Sequence, residues 1–450
     1  MRAKYLPDRP LTSSESDRLG FESAAEGMLE HIAVSEPPFT WGIFGDWGSG
    51  KTSLMHLIEC KMEKRLTEPP TDPNVPVHIP VWFDAWRYEN EVNIVYPLFH
   101  AIRKDFTRRC ASAANADSFF SSFKRVATAS LLGLTDLALR AATNKTFGDA
   151  ASLEDVTKWL KLAEEGLPKV FSKWADENDD VQKAFADFAR TYVDVYRSNR
   201  KDLRSRTVHL AIFVDDLDRC LPDVAITILE RIKNHLSVDN CVFILGVNRN
   251  VVYQSIRKKY DDLNIDGRQH LEKIIQYSIG VPEPTQKDLR RFVVESIRGL
   301  VIQDGHPAEP DLSNYYTRFA DALYDCHFTN PRKIKRILNR YLTFLEHGLA
   351  AGSLSKYKIP NVARLIVMRE YYSDLYDLFS EAGFASLKVI SRYDGKEEGT
   401  RKFLEDYGSK WQRLVASFEL YKGIASMEDT VDLTTKQYDD SIRRLFGRED

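Results

Sequence analysis

The sequence predicts an α/β protein in which a parallel sheet is sandwiched by helices. Short apolar runs rich in branched residues, at 39–44, 209–214 and 241–247, lie between segments with helical periodicity. Strands that alternate with helices in this way form parallel sheets covered on both faces. A glycine-rich turn separates the first run from a helix, and the pattern is helical beyond residue 285.

The elements follow one another in a simple order. Helical spacing of apolar residues predicts a helix within residues 11–33, and a second helix follows the glycine-rich turn. Five strands are predicted, at 39–44, 77–86, 209–214, 241–247 and 274–281. This order predicts five segments: a first part of the sheet domain at 1–97, a helical insertion at 98–204, a second part at 205–284, a helical lid at 285–350 and a C-terminal helical region at 351–450.

Composition limits the classes of function. With 63 Lys and Arg against 66 Asp and Glu, the net charge is −3, so the whole chain has no field that attracts nucleic acid. The 5 cysteines are widely spaced, which favours a reducing compartment over a disulfide framework or zinc site. The apolar segment 126–142 contains Asp136 and Arg140, so we expect a buried or partner-facing helix. We expect a cytoplasmic protein with no transmembrane span.

One motif predicts a phosphate-binding loop. Residues 45–52 read GDWGSGKT and match the pattern GxxxxGK[ST], between a predicted strand and a predicted helix. Glycines let backbone N–H groups turn toward phosphate oxygens, Lys51 would reach the β- and γ-phosphates, and Thr52 would bind Mg²⁺. The predicted nucleotide-binding residues are Gly45, Asp46, Trp47, Gly48, Ser49, Gly50, Lys51, Thr52 and Ser53.

Acidic residues follow the third predicted strand, at Asp215, Asp216 and Asp218. Ligands of open parallel sheets bind beyond the carboxyl ends of the strands, where the phosphate loop also lies. Asp215 is therefore predicted to hold Mg²⁺, and Asp216 to polarise the attacking water. The alternative is that Asp216 and Asp218 cap the following helix, for which aspartate is suited.

A polar residue, Asn248, ends the fourth strand. Its side chain could hydrogen-bond the γ-phosphate and the attacking water. A turn-forming role is the alternative, because asparagine favours turns.

Several sequence blocks together resemble the KAP family of P-loop NTPases, a branch of STAND-like signalling ATPases. They are SDRLGFESAAEGMLEHI, WGIFGDWGSGKTSLM, FDAWRYE, IFVDDLDRCLP, HLEKIIQ and NPRKIKRILN. The resemblance implies an ATP-driven switch, in bacteria often in defence against phages. It also implies that Arg332 resembles the sensor arginine of a helical lid, although a basic helix face is the alternative for that residue.

We therefore expect ATP and Mg²⁺ as ligands and slow hydrolysis that drives a protein partner or an assembly, with homo-oligomers plausible. The alternative is a scaffold that binds ATP without hydrolysis. No helicase motif set or kinase lid signature supports a nucleic-acid motor or a small-molecule kinase.

Overall fold

The structure, a computed structural model, describes residues 2–3, 5–11, 13, 17–89, 95–110, 119, 178–260, 266–298, 301–302, 313–325, 328–350, 366–367, 369–371 and 373. Most of the predicted C-terminal region, the centre of the predicted insertion and the apolar segment 126–142 lie outside these residues. No helix in the described part of the chain is long and apolar enough to cross a membrane.

The described strands are β1 (Arg2–Ala3), β2 (Phe39–Phe44), β3 (Val77–Asp84), β4 (Val208–Asp215), β5 (Cys241–Val247), β6 (Tyr277–Gly280) and β7 (Val301–Ile302). The described α-helices are α1 (Phe21–Ala33), α2 (Lys51–Thr67), α3 (Val95–Cys110), α4 (Asn178–Ser198), α5 (Pro222–His235), α6 (Arg249–Lys259), α7 (Gly267–Ile274), α8 (Gln286–Arg298), α9 (Ser313–Asp325) and α10 (Pro331–Ala350).

A five-stranded parallel sheet forms the centre, in the order β3-β4-β5-β2-β6. All five predicted strands are present. The fifth is shorter than predicted, because α7 continues to Ile274 before the strand begins at Tyr277. The order places β5 between β2 and β4, so their carboxyl ends meet along one edge of the sheet.

Alternating strand residues contribute to two hydrophobic cores, one on each face of the sheet. Trp41 and Phe213 point into a core with α1, α2 and the helices of the predicted lid, α8, α9 and α10. Phe44 and Ile212 point into the opposite core, with helices α3 to α7. The side-chain period of two along a strand produces this division. The prediction of a sheet with helices on both faces is confirmed.

The two described ends of the predicted insertion pack against this sheet. Buried residues Phe99 and Phe106 of α3 and Phe188 and Tyr192 of α4 belong to the same core as β3 and β4. These two helices therefore cover the second face of the sheet.

Candidate nucleotide site

The phosphate loop leaves β2 and turns tightly into α2. Gly45 N–H donates to the carbonyl of Val247, which joins the loop to the neighbouring strand. Gly48 and Gly50 have φ values of 81° and 107°, in the left-handed region that favours glycine. A Cβ on Gly50 would lie 2.5 Å from the ring of Phe21, so α1 also excludes a side chain there.

The amino end of α2 is open to an anion. Gly50 stands at its N-cap without a side-chain hydrogen bond, and its first turn contains no acidic residue. The first backbone N–H groups of a helix have no partner within the helix. Together with the helix dipole, they make this turn suited to phosphate.

Lys51 lies folded against its own loop. Its ammonium donates to the carbonyls of Gly45 and Asp46, at 2.9 and 3.3 Å. It also forms an ion pair of 3.1 Å with Asp218, and both side chains are less than 10% exposed, at 8% and 7%. The predicted phosphate-binding lysine is thus brought into contact with the acidic segment after β4.

Thr52 and Asp215 form a set of oxygen donors at the same edge. Burial raises the pKa of Asp215, while the Thr52 hydroxyl and the backbone of Asp216 favour its charged form and oppose that rise. Asp215 Oδ1 is buried and has no hydrogen-bond partner among the described residues.

These donors fit Mg²⁺. The ion prefers oxygen ligands and usually takes one or two carboxylates together with substrate phosphates and water. A cation beside Asp215 would compensate the buried charge and the unpartnered Oδ1. Thr52 and Asp215 are the residues that would hold it, as predicted from the sequence.

Asp216 has an unusual backbone conformation, with φ 58° and ψ 26°. A non-glycine residue in the left-handed region costs about 1–2 kcal/mol. Its carboxylate lies 2.8 Å from Arg219 Nε. Burial, followed by the charge of Asp215, raises the pKa of Asp216 to about 6.

Neither Asp216 nor Asp218 caps the next α-helix. Helix α5 begins at Pro222, and Leu221 at its N-cap makes no side-chain hydrogen bond. The alternative role that the sequence suggested for these carboxylates is therefore absent. Asp218 instead neutralises Lys51.

Asn248 caps a helix and contacts the phosphate loop. Its side-chain oxygen accepts from the N–H groups of Asn250 and Val251 and so caps α6. Its side-chain nitrogen lies 3.3 Å from Asp46 Oδ1 in the phosphate loop. The cap fixes the side chain, and the amide nitrogen faces the loop.

Arg332 lies against the phosphate loop at the start of α10. Its backbone N–H donates to the carbonyl of Gly48, and its guanidinium lies 4.9 Å from the ring centroid of Trp47. The guanidinium is paired with Asp8, at 2.5 Å. Asn330 adds a hydrogen bond to the carbonyl of Trp47, at 3.0 Å. The structure thus places the predicted sensor arginine at the loop, with its charge turned toward Asp8.

Residues 21–346 match the family described as the KAP family P-loop domain. The chain belongs to the KAP family of P-loop NTPases. This assignment agrees with the resemblance drawn from the sequence blocks and with the parallel sheet around the phosphate loop.

Two comparisons place the KAP chain among individual proteins. It is 25% identical over 357 residues to the phage T7 exclusion protein of Escherichia coli strain K12, a match that covers 76% of this chain and 43% of that protein. The chain thus corresponds to less than half the length of this relative. The solved structure of the Aeropyrum pernix ORC2 protein, in ADPNP–ADP complexes, aligns at a TM-score of 0.34 and 13% identity, over 90% of this chain and 94% of that one.

Sequence reasoning left two site residues of this KAP protein without a role. Asp84 is the register partner of Asp215 on β3, and its charge contributes to the raised pKa of Asp216. Asp8 pairs with Arg332 from a segment before the family match begins. The adjacency of β3 and β4 could have indicated Asp84, whereas no local pattern indicates Asp8.

Proposed function

We propose that this chain is a KAP-type switch of the cytoplasm that binds and hydrolyses ATP with Mg²⁺ and passes its nucleotide state to a protein partner or an assembly. The observation that carries the proposal is the meeting of Lys51, Asp215 and Asn248 at one edge of the sheet, beside the loop on which α10 docks. The wide spacing of the cysteines supports a reducing compartment.

The residues of the loop bind and orient the phosphates. Backbone N–H groups at the start of α2 and the Lys51 ammonium supply the positive field. On ATP binding, Lys51 exchanges Asp218 for the β- and γ-phosphates. Mg²⁺ held by Thr52 and Asp215 would neutralise charge that develops on the phosphates during transfer.

Asp216 is proposed to orient and polarise the attacking water. It follows Asp215 directly, its backbone lies in the left-handed region, and the charge of Asp215 acts on its carboxylate. Backbone strain of this kind is concentrated at functional sites. The Asn248 amide, held by its cap on α6, is proposed to contact the γ-phosphate.

The lid provides the means of switching. Helix α10 contacts the phosphate loop through the N–H of Arg332 and the side chain of Asn330. Movement of the loop on nucleotide binding would therefore move α10. A contact between Arg332 and the γ-phosphate would make the position of the lid depend on hydrolysis.

A role in defence against phages is proposed from the relative named as a phage T7 exclusion protein. The match covers less than half of that protein, so the partner and trigger are proposed only by class: a protein effector that senses the lid. A homo-oligomer is the second form of this coupling, in which a neighbouring subunit supplies an arginine to the phosphates.

The first test measures ATP binding and hydrolysis by the purified chain with Mg²⁺, over a protein concentration series with mass determination. Lys51→Ala should weaken ATP binding about 10- to 100-fold, because a charge-assisted contact is lost. Asp216→Asn should keep binding and lower turnover at least about 100-fold. The matched control is Asp223→Asn, an exposed aspartate in the first turn of α5. Unchanged binding in Lys51→Ala would refute the proposal.

A non-hydrolysing scaffold is the second candidate. It is favoured by the pairing of Arg219 with Asp216 and of Arg332 with Asp8, since these two guanidinium groups are then neutralised by carboxylates. Tight ATP binding with no turnover at any protein concentration would support the scaffold over the enzyme.

A further inference from the structure

Residues 5–11 form a segment outside the helices and strands, here called the N-terminal strap, that joins α10 to the phosphate-loop helix α2. The side chain of Asn339 in α10 bonds both backbone groups of Leu6. The Leu6 N–H donates to Asn339 Oδ1 at 2.7 Å, and Asn339 Nδ2 donates to the Leu6 carbonyl at 3.1 Å. At the other end, Leu11 N–H donates to the Ser53 hydroxyl of α2, at 3.1 Å.

The strap is also anchored by side chains. Leu6 and Leu11 pack against the hydrophobic core beneath the lid. The Lys335 ammonium donates to the carbonyl of Arg9, at 3.0 Å. The strap therefore has a defined path, with Asp8 held between its two anchored leucines.

Asp8 faces the one lid side chain that the proposed function assigns to the γ-phosphate. Its carboxylate lies 2.5 Å from Arg332 Nε, with side-chain exposures of 49% for Asp8 and 22% for Arg332. The Cβ of Arg332 lies directly against the phosphate loop, since a Cβ on Gly48 would be only 2.6 Å from it. Rotation of the side chain alone can therefore redirect its charge.

We propose that Asp8 is a positioning residue that holds Arg332 away from the phosphates until a γ-phosphate competes for it. This inference rests on the proposed function. Carboxylate and phosphate oxygens both attract a guanidinium. The Arg332 Nε that faces Asp8 Oδ2 is therefore not available to a phosphate at the same time. ADP lacks the competing group, and the Asp8–Arg332 pair persists in its presence. ATP breaks the pair and so loosens the strap from the lid.

A neighbouring cation strengthens the competition. Lys335 lies close enough to Arg332 for the two charges to repel, and Asp8 attracts both. Without the Asp8 charge, this carboxylate would no longer offset the repulsion between the two cations. Arg332 would then turn more readily toward an anion on the loop.

The experiment compares the affinities of the full chain for ADP and for a non-hydrolysable ATP analogue, both with Mg²⁺. Asp8→Asn should raise the affinity for the analogue about 2- to 5-fold and leave the affinity for ADP unchanged. This is the range expected when a partly exposed carboxylate no longer competes for Arg332. Asp321→Asn is the control, since it removes a carboxylate 2.5 Å from Arg290, an ion pair that joins α8 to α9 rather than the strap to α10. It should change neither affinity.

A double-mutant cycle separates positioning from a general effect on the strap. In an Arg332→Ala background, Asp8→Asn should no longer change the affinity for the analogue. Weaker or unchanged analogue binding in Asp8→Asn, an equal change for ADP, or an effect that survives in the Arg332→Ala background would each overturn the inference.

The proposed function fails in a different way. If Arg332→Ala alone leaves the ratio of analogue to ADP affinity unchanged, Arg332 does not contact the γ-phosphate. The proposed sensor role and the inference about Asp8 are then both wrong. If Arg332→Ala lowers the ratio while Asp8→Asn does nothing, only the role of Asp8 is lost. Thermal unfolding of each variant confirms that the fold is intact.

Discussion

The Lys51 ammonium lies 3.1 Å from the Asp218 carboxylate, and both side chains are buried. This pair joins the phosphate loop to the segment after β4. In the proposed function, a phosphate bound at the loop takes Lys51 from Asp218, so Asp218 competes with nucleotide for Lys51.

Replacing Asp218 by asparagine should therefore lower the stability of the free protein and raise its affinity for ATP. Without nucleotide, the buried Lys51 loses its charged partner, and the free energy of unfolding should fall by about 1–3 kcal/mol. The increase in melting temperature caused by ATP should grow, because affinity rises when the competing charge is gone. Thermal unfolding with and without Mg²⁺–ATP measures both effects. An equal shift in the two conditions would contradict the pair as a competitor.

Asp215→Asn should uncouple magnesium from nucleotide binding. The variant removes the charge of a buried carboxylate whose Oδ1 has no partner among the described residues. We expect ATP affinity in the presence of chelator to be kept and the increase on adding Mg²⁺ to be largely lost, because the ion loses its charged protein ligand. Titration calorimetry at several Mg²⁺ concentrations measures this difference. Full retention of the Mg²⁺ effect would exclude Asp215 as a ligand.

Gly48→Ala should displace the lid. The residue has φ 81°, and the new Cβ would lie 2.6 Å from Arg332 Cβ, at the start of α10. The positive φ alone costs about 1–2 kcal/mol for alanine, and the clash adds to it. Hydrogen exchange of the first turns of α10 should rise in the variant. Gly280→Ala is the matched control, because nothing lies within 4 Å of a Cβ at that position. Equal exchange in both variants would show that Gly48 does not set the docking of α10.

Arg109→Met should be strongly destabilising. Arg109 of α3 pairs with buried Asp105 at 2.8 Å and with Glu63 of α2. Asp105 also accepts a hydrogen bond of 2.5 Å from Tyr192 of α4, so one carboxylate connects two helices of the second face. Arg108 also pairs with Asp105, but its side chain is 64% exposed. Removal of Arg109 therefore leaves the buried carboxylate only partly compensated, at a cost of about 1.5–3 kcal/mol.

Chemical denaturation measures the effect of Arg109→Met. The control is Arg190→Met, which removes an exposed ion pair with Asp187 within one helix. That variant should change the free energy of unfolding by less than about 1 kcal/mol. A loss of similar size in both variants would contradict the special role of the buried network.

A buried histidine should make the fold sensitive to acid. Burial, with a smaller contribution from His209, lowers the pKa of His78 to about 3. An unfolded histidine has a pKa of about 6.5, so the unfolded chain binds the proton first as pH falls. The stability from neutral His78 is complete above about pH 6.5 and is lost progressively as pH falls toward 3.

Denaturation midpoints between pH 5 and 7 test this expectation. His78→Leu should reduce the slope of unfolding free energy against pH by up to about 1.4 kcal/mol per pH unit. His31→Gln, at an exposed position in α1, is the control and should keep the slope of the original protein. An unchanged slope in His78→Leu would show that His78 is not the group responsible.

Local patterns in the sequence determined the phosphate loop and the strands. The loop is eight consecutive residues whose conformation depends on glycines at Gly48 and Gly50, so its motif is visible without tertiary contacts. The strand Cys241–Val247 was predicted at its observed bounds, because a continuous run of apolar, branched residues ends at polar ones. The predicted roles of Thr52 and Asp215 rest on their neighbours in the chain.

The tertiary structure decided which distant groups meet. In the sheet, β5 lies between β2 and β4, and this order brings Asn248 to Asp46. No local pattern in the sequence indicates that strand order. The packing of α10 on the loop brings Arg332 to Asp8, and the fold behind β4 brings Asp218 to Lys51. The strength of an ion pair depends on the distance between its charges and on their burial. Both are set by how the helices and strands pack around the core.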